Sequence, residues 1–322
     1  MQSIDDRRLL VKVARLYYEQ DMTQSKIGQQ LHISRQKVQR LLQQARDENI
    51  VQIWIEPIMG IHSGLETELE NRFGLDEALV VETTAYDDQT TIARELGAGA
   101  AEYLLRVIKP HARIVISNWS RAIQGIINGL KFSRFKAVEG VLVIQGLSEL
   151  VYPTAVSVPA DLTRGLARVL GGRAMLIPAP GIAANPVAHD TFCADPNVAY
   201  VLNQARMADL AFMGIGPVEL EPAPEWGDIV SDVGLSDLVE RGAVGEINLR
   251  YFDQNGQPVA SNLDDRVVGL TLDEIRQIGL TVCVAGGAAK FEPILGALNG
   301  RLADVLVTDH VTAQRLLEIH VE

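Results

Sequence analysis

The sequence predicts an α/β protein: a small N-terminal helix-turn-helix domain, winged-helix-like, followed by a larger Rossmann-like domain with a mainly parallel sheet. Three observations predict it. Residues 21–46, DMTQSKIGQQLHISRQKVQRLLQQAR, hold two helical apolar periods around a tight turn. Beyond residue 78, short continuous apolar runs alternate with amphipathic stretches, the pattern of strands buried on both faces. A chain of 322 residues, 47% hydrophobic and 22% charged, suits two globular domains, one of them with a substantial core. The expected division is 1–56 and 57–322.

In chain order, residues 5–20 are a helix with Leu9, Leu10, Val13, Leu16 and Tyr17 on its apolar side. Thr23 caps a second, short helix that buries Ile27 and Leu31, and Gly28 is small where two helices cross. His32-Ile33 makes the turn; His tolerates positive φ better than most residues. Ser34 caps a third helix with Val38, Leu41, Leu42 and Ala45 on its buried stripe. IVQIWI at 50–55 alternates like a strand, the wing that follows such a unit, and Pro57 ends it. Residues 63–73 are a helix bearing Leu65, Leu69 and Phe73. Strands then follow at 79–81, 113–117, 138–146, 174–180, 209–216, 281–287 and 305–308. Helices at 90–109, 119–130, 160–171 and 196–207 lie between the earlier ones, and one follows each of the last two strands.

The third helix carries the chemistry of the small domain. Arg35, Gln36, Lys37, Gln39, Arg40 and Gln43 lie away from its apolar stripe, and no acid occurs from Ser34 to Arg46. Arg reads guanine and Gln reads adenine in the major groove, and the second helix of the motif is the one that enters it. Thr23, Gln24 and Ser34, at the helix starts, complete the expected DNA-facing set. A solvated helical hairpin is the plainer alternative. The net charge of −12 divides unevenly: residues 1–56 hold nine Lys/Arg and seven Asp/Glu, the rest 20 and 34. Only the small domain is suited to approach phosphates.

In a doubly wound sheet, ligands bind beyond the carboxyl ends of the strands. Those ends here carry Asn118-Trp119-Ser120-Arg121, Gly146-Leu147-Ser148, Gly214-Ile215-Gly216, Gly286-Gly287 with Lys290, and Thr308-Asp309-His310. Gly286-Gly287-x-x-Lys290 suits an anion, since glycines at a helix start bring backbone N–H groups close and Lys adds charge; packing glycines and a solvated Lys are the alternative. Trp119 can cover a sugar ring. Arg121 can hold an anion or a carboxylate. Asp309 can accept from hydroxyls or cap the last helix. His310 reads as a surface or helix-start residue, and Cys283 as a small buried hydrophobe.

No apolar run is long enough to span a bilayer, and MQSIDDRRLL lacks a signal-peptide core. Cys193 and Cys283 show no metal-type spacing, so a reduced, cytoplasmic protein without metal or cofactor is expected.

The chain resembles the SorC family of bacterial sugar-responsive transcriptional regulators. The resemblance is carried by VCVAGGAAKFEPILGALNGRLADVLVTDHVTAQRLL at 282–317, GAVGEINLRYFDQNGQPV at 242–259, ADLAFMGIGPV, PAP at 178–180 and the helix-turn-helix. It implies operator DNA as partner, a sugar, polyol or sugar-phosphate effector, and a homo-oligomer, commonly a tetramer. It also implies an effector site that includes Arg121, Gln145, Gly146, Glu246, Gly286, Gly287 and Lys290, beside Asn118, Trp119, Ser120 and Asp309. The family's Gly-Trp-Gly is Asn118-Trp119-Ser120 here, its Thr-Asp-Glu is Thr308-Asp309-His310, and Glu246 stands where Asp is usual. The alternative is a sugar-phosphate isomerase or deaminase with an added domain. Pro217-Val218-Glu219-Leu220 follows Gly214-Ile215-Gly216, where such deaminases carry an acid, a Gly and a His, so the chain lacks a placed acid–base pair. The helix at 63–73 or the effector domain is the expected interface between copies.

Overall fold

In the computed structural model, which describes residues 4–52, 60–117, 120–149, 159–218 and 235–319, the chain divides into two units, Met1–Ile58 and Met59–Glu322. The first holds α1 (Ile4–Tyr18), α2 (Gln24–Leu31) and α3 (Arg35–Asp47). Leu10, Val13, Leu16, Ile27, Val38, Leu42 and Ala45 are buried among them. The expected wing is not a strand where it is described. Ile50 and Val51 both donate their backbone N–H to Ala45 O, at 2.9 and 3.0 Å, and pack beside Ala45. Their donors finish the third helix and are not free for a ladder. Residues 53–55 lie outside the described residues.

The second unit holds α4 (Ser63–Phe73), β1 (Glu77–Val81), α5 (Gln89–Val107), β2 (Arg113–Ile116), α6 (Arg121–Phe132), β3 (Leu142–Gln145), α7 (Pro159–Leu170) and β4 (Arg173–Met175). It continues with α8 (Pro186–Ala194), α9 (Pro196–Arg206), β5 (Leu210–Gly214), β6 (Gly216–Pro217), α10 (Leu235–Glu240), β7 (Ala243–Ile247), β8 (Arg250–Asp253), α11 (Leu272–Arg276), β9 (Thr281–Val284), α12 (Phe291–Asn299), β10 (Val305–Asp309) and α13 (His310–Glu318). Seven strands form one sheet in the order β1-β10-β9-β5-β2-β3-β4, every pair parallel.

Successive side chains on a strand point to opposite faces, so a parallel sheet needs apolar residues at every position and cover on both sides. Ile114, Ile116, Val143, Phe212, Val282 and Val305 face α5, α6 and α7. Val115, Ile144, Met213, Cys283 and Leu306 face the other way, against α9, α12 and α13. Leu69 of α4 is fully buried in that second layer, with Leu65 and Phe73 packed beside it. Part of the apolar face of α4 is therefore used within the chain. α8 was not legible from periodicity, because none of its residues is buried.

α4 runs along the free edge of β1. Glu70 Oε1 accepts from Ala78 N at 3.0 Å, and Glu66 Oε1 accepts from Val80 N at 2.9 Å. Later in the chain, β6, β7 and β8 make a small antiparallel sheet, in which the two-residue turn Asn248-Leu249, with φ of 54° and 61°, joins β7 to β8. Positive φ at both central residues is the twist a tight hairpin needs, although Gly is the usual second residue.

Candidate DNA-reading and effector sites

In the first unit, Thr23 Oγ1 accepts from Lys26 N at 3.4 Å and Ser34 Oγ accepts from Lys37 N at 3.1 Å, so both predicted caps form. His32 takes the left-handed conformation, φ 53°, which closes α2: Ile33 N donates to Gly28 O at 2.9 Å. A Cβ at Gly28 would stand 2.7 Å from Ile33 O, so the turn leaves room only for glycine. Arg35, Gln36, Lys37, Gln39 and Arg40 are exposed and make no side-chain hydrogen bond among the described residues. Gln24 is half-buried. Gln43 is exposed but tied: its amide donates to Asp47 Oδ1 at 2.9 Å and accepts from Arg46 at 2.7 Å. The exposed polar side chains without such a tie lie on the N-terminal two turns of α3.

In the second unit the chain winds outward through β2, β3 and β4, then returns to place β5 on the other side of β2. The switch point therefore lies between the carboxyl ends of β2 and β5, where such folds bind ligands. Ser117 follows β2; its buried hydroxyl accepts from Gly214 N at 3.2 Å and donates to Met213 Sδ at 3.3 Å. Ser120 caps α6 through Ile123 N at 3.3 Å, and its Oγ lies 2.5 Å from where a Cβ on Gly214 would be. Arg121 is exposed at the first position of α6. Asn118 and Trp119 lie outside the described residues.

The small antiparallel sheet covers this crevice. Gly216 pairs with Glu246, whose Oε1 lies 2.3 Å from where a Cβ on Gly216 would be. Glu246 Oε2 accepts from Leu249 N at 2.7 Å and holds the strained hairpin turn. Asn248, in that turn, lies against Met213 Sδ at 3.8 Å and close to Gly146. Sequence reading missed Asn248 and Ser117, which meet Met213 and Gly214 only through long-range packing. Gln145, at the end of β3, is fully buried: Oε1 accepts from Ile177 N at 2.8 Å, while Nε2 has no partner among the described residues. Gly146 N donates to Ile116 O at 3.0 Å, so it holds the strand ends together.

The β9 and β10 ends form a second part of the rim. Asp309 is completely buried. Its Oδ2 accepts from Gly287 N at 2.7 Å and from Thr312 Oγ1 at 2.6 Å, and Oδ1 accepts from Thr312 N at 2.8 Å. Of its two sequence-level readings, the geometry is that of the helix cap, extended to clamp the Gly286-Gly287 loop. Gly287 has φ 89°, and a Cβ there would stand 2.5 Å from Gln89 Nε2. With Gly287 N–H held by Asp309 and Ala288 N–H on Tyr86 O at 3.4 Å, these amides point into the protein. Lys290 ends the short 3-10 turn Ala288–Lys290, which packs beside β6, the strand whose Gly216 pairs with Glu246. Cys283 is buried as expected, and burial pushes its thiol up to about 12. Burial also carries the Tyr251 hydroxyl above its usual range, with Glu246 and Asp264 adding to the rise.

Comparison with known proteins places this geometry among others. The Sugar-bind family profile, a sugar-binding domain, matches residues 61–318, and the Sigma-70 region 4 profile matches residues 12–48, which span α2 and α3. The chain is 31% identical to the sorbitol operon regulator of Klebsiella pneumoniae, over 99% of this chain and 100% of that one. It is 30% identical to the deoxyribonucleoside regulator of Bacillus subtilis (strain 168), over 97% and 98%. The crystal structure of full-length sorbitol operon regulator SorC from Klebsiella pneumoniae superposes with a TM-score of 0.72 at 30% identity, covering 98% of this chain and 100% of that one. A DeoR family transcriptional regulator from Listeria monocytogenes shares the fold, with a TM-score of 0.69 at 24% identity over 79% and 98%. These relatives are regulators, not isomerases or deaminases.

Proposed function

Because the chain belongs to the SorC family of sugar-binding transcriptional regulators, we infer that it controls a carbohydrate or polyol catabolic operon through an effector that changes its affinity for operator DNA. The observation that carries this reading is the pairing of two features in one chain. α3 presents an Arg/Gln/Lys face with no acid from Arg35 to Arg46, and the second unit has a polar crevice at its topological switch point. Gln36, Gln39 and Arg35 read bases; Lys37 and Arg40 contact phosphates, with Gln43, Thr23, Gln24 and Ser34 at the margins.

The effector is a sugar, polyol or sugar phosphate. Glu246, Lys290 and Ser120 on the rim, with Asn118, Trp119 and Arg121, are the groups that meet it. The carboxylate and hydroxyl satisfy ligand hydroxyls, and Lys290 with Arg121 meets any phosphate. Gln145, Gly146, Gly286, Gly287 and Asp309 act behind them by holding the strand ends and the glycine loop. An effector shifts DNA affinity only through its different affinity for two arrangements of the protein, and coupling of about 1–3 kcal/mol is typical. The active species is a homo-oligomer, a tetramer in the family pattern, working in the cytoplasm. Exposed Val187, Tyr200 and Met207, on and after α8 and α9, support self-association through helix faces. Among the described residues no helix is long and apolar enough to cross a membrane.

The test is a thermal-shift screen of the full chain against sugars, polyols and their phosphates, followed by calorimetry on the parent, Lys290→Ala and Glu246→Gln. A specific ligand raises the midpoint by mass action. Both variants are expected to bind it more weakly while keeping effector-free DNA binding. Equal affinity in all three proteins would place the pocket elsewhere.

A further inference from the structure

Three side chains meet at the outer end of the sheet, away from the β2/β5 switch point: His62, Glu82 and His310. Two registers bring them together. Along the edge strand, Glu70 of α4 meets Ala78 and Glu66 meets Val80. Four residues of helix rise about 6 Å and two residues of strand about 6.6 Å, so each turn back along α4 advances two residues along β1. One more step pairs position 62 with position 82, and His62 Nε2 lies 2.5 Å from Glu82 Oε2. From the other side, β1 and β10 are parallel with Val81 opposite Asp309, so the next residues, Glu82 and His310, are neighbours. His310 Nε2 is 4.0 Å from Glu82 Oε1. The two imidazoles stack at 8° with centroids 5.5 Å apart.

We propose that His62, Glu82 and His310 form a binding site for a first-row divalent transition-metal ion of the Zn²⁺ class. One donor atom from each residue falls within 4.8 Å of the others. Ligands at about 2.0–2.2 Å in tetrahedral geometry stand about 3.3 Å apart. The His62–Glu82 contact has to open by under about 1 Å, and the wider pairs, within 4.8 Å, have to close by up to about 1.5 Å. Two imidazoles and one carboxylate are the donor set of open zinc sites, whereas Mg²⁺ and Ca²⁺ want oxygen alone. Both His side chains are 22% exposed and Glu82 is 58% exposed, so an ion can enter and water can complete its shell.

The surroundings fit as well. His310 Nδ1 faces Thr83 N at a long 3.4 Å. Coordination through Nε2 moves the ring proton to Nδ1 and gives that contact up. Thr83 also carries a buried hydroxyl without a partner among the described residues. His310 directly follows Asp309, which clamps Gly287, so the ion would sit next to the residue that fixes the effector rim. Where the family pattern has an acid, this chain has His310, so the site is expected of this chain rather than of its relatives generally.

The experiment is calorimetric titration of ZnCl₂ into chelator-treated, tag-free full-length protein, with Co²⁺ absorption as a second readout. One ion per chain is expected, at micromolar affinity or tighter, with the d–d bands of a low-coordinate nitrogen/oxygen site. His62→Ala and His310→Gln should each weaken binding at least about tenfold. His189→Ala, at another half-buried His, should leave it unchanged. Circular dichroism checks that each variant folds, and Glu82→Gln, at an exposed position, provides a further variant. A parent without one-to-one binding, or variants at all three positions that bind like the parent, would overturn the site.

Discussion

Asp309→Ala removes one carboxylate that serves three partners. The magnitude follows from what each loses. Replacing a helix cap by Ala costs about 1 kcal/mol, and Asp309 caps α13 through Thr312 N at 2.8 Å. Gly287 N–H is buried and loses its 2.7 Å acceptor. A stranded buried donor costs about 1–3 kcal/mol, and the low end applies because Thr312 Oγ1 remains at 3.2 Å. The sum is about 2–3 kcal/mol. For a unit of this size that lowers the thermal midpoint by roughly 4–6 °C. The assay is scanning calorimetry of the full chain with urea unfolding alongside, which separates a lower midpoint from a changed slope. Asp309→Asn keeps one acceptor oxygen and is expected to fall between parent and Ala variant. An Ala variant within about 0.5 kcal/mol of the parent would refute the clamp, because surface substitutions stay within that range.

Further outcomes follow from other positions. Gln39→Ala should cost about 1–3 kcal/mol at one base position of the operator, whereas Lys37→Ala should weaken binding to all sequences and flatten its salt dependence; electrophoretic shifts at several salt concentrations separate the two. Gly28→Ala forces a Cβ to within 2.7 Å of Ile33 O, so DNA binding should fall sharply while effector binding persists, read by parallel gel-shift and calorimetry. Asp304 is held above the usual carboxylate range by burial, with Thr281 N–H opposing and Asp76 adding to the rise. Its contribution to stability is complete below the unfolded pKa and is lost as pH rises through the folded one. Asp304→Asn should therefore raise the thermal midpoint at pH 7, with the advantage disappearing in acid. Light scattering at micromolar concentration should give a mass above that of one chain.

Much of this architecture was legible because burial on both faces forces apolar runs, which is why β2, β5, β9 and β10 stand out in the sequence. Caps were legible too: Thr23 and Ser34 are local devices, and local chemistry shows in local sequence. What failed to show depends on partners far away in the chain. IVQIWI alternates like a strand, yet Ile50 and Val51 give their donors to the end of α3. α8 has no buried face and so no period. Asp309 could be read as ligand or cap, and only the position of Gly287 N–H, 22 residues back, separates the two. His62 and His310 were unremarkable singly; 248 residues separate them, and two strand registers were needed to bring them together.

The carboxylates of Glu66 and Glu70 have a further consequence. β1 is the last strand on its side of the sheet, and two of its outward amides are already held by its own helix. An open edge is a template for another chain to add a strand. Here that template is occupied, and the opposite margin, β4, is only three residues long. Copies of this chain thus have little means of fusing sheet to sheet into an open-ended fibre. Any self-association of this chain is left to its helix surfaces.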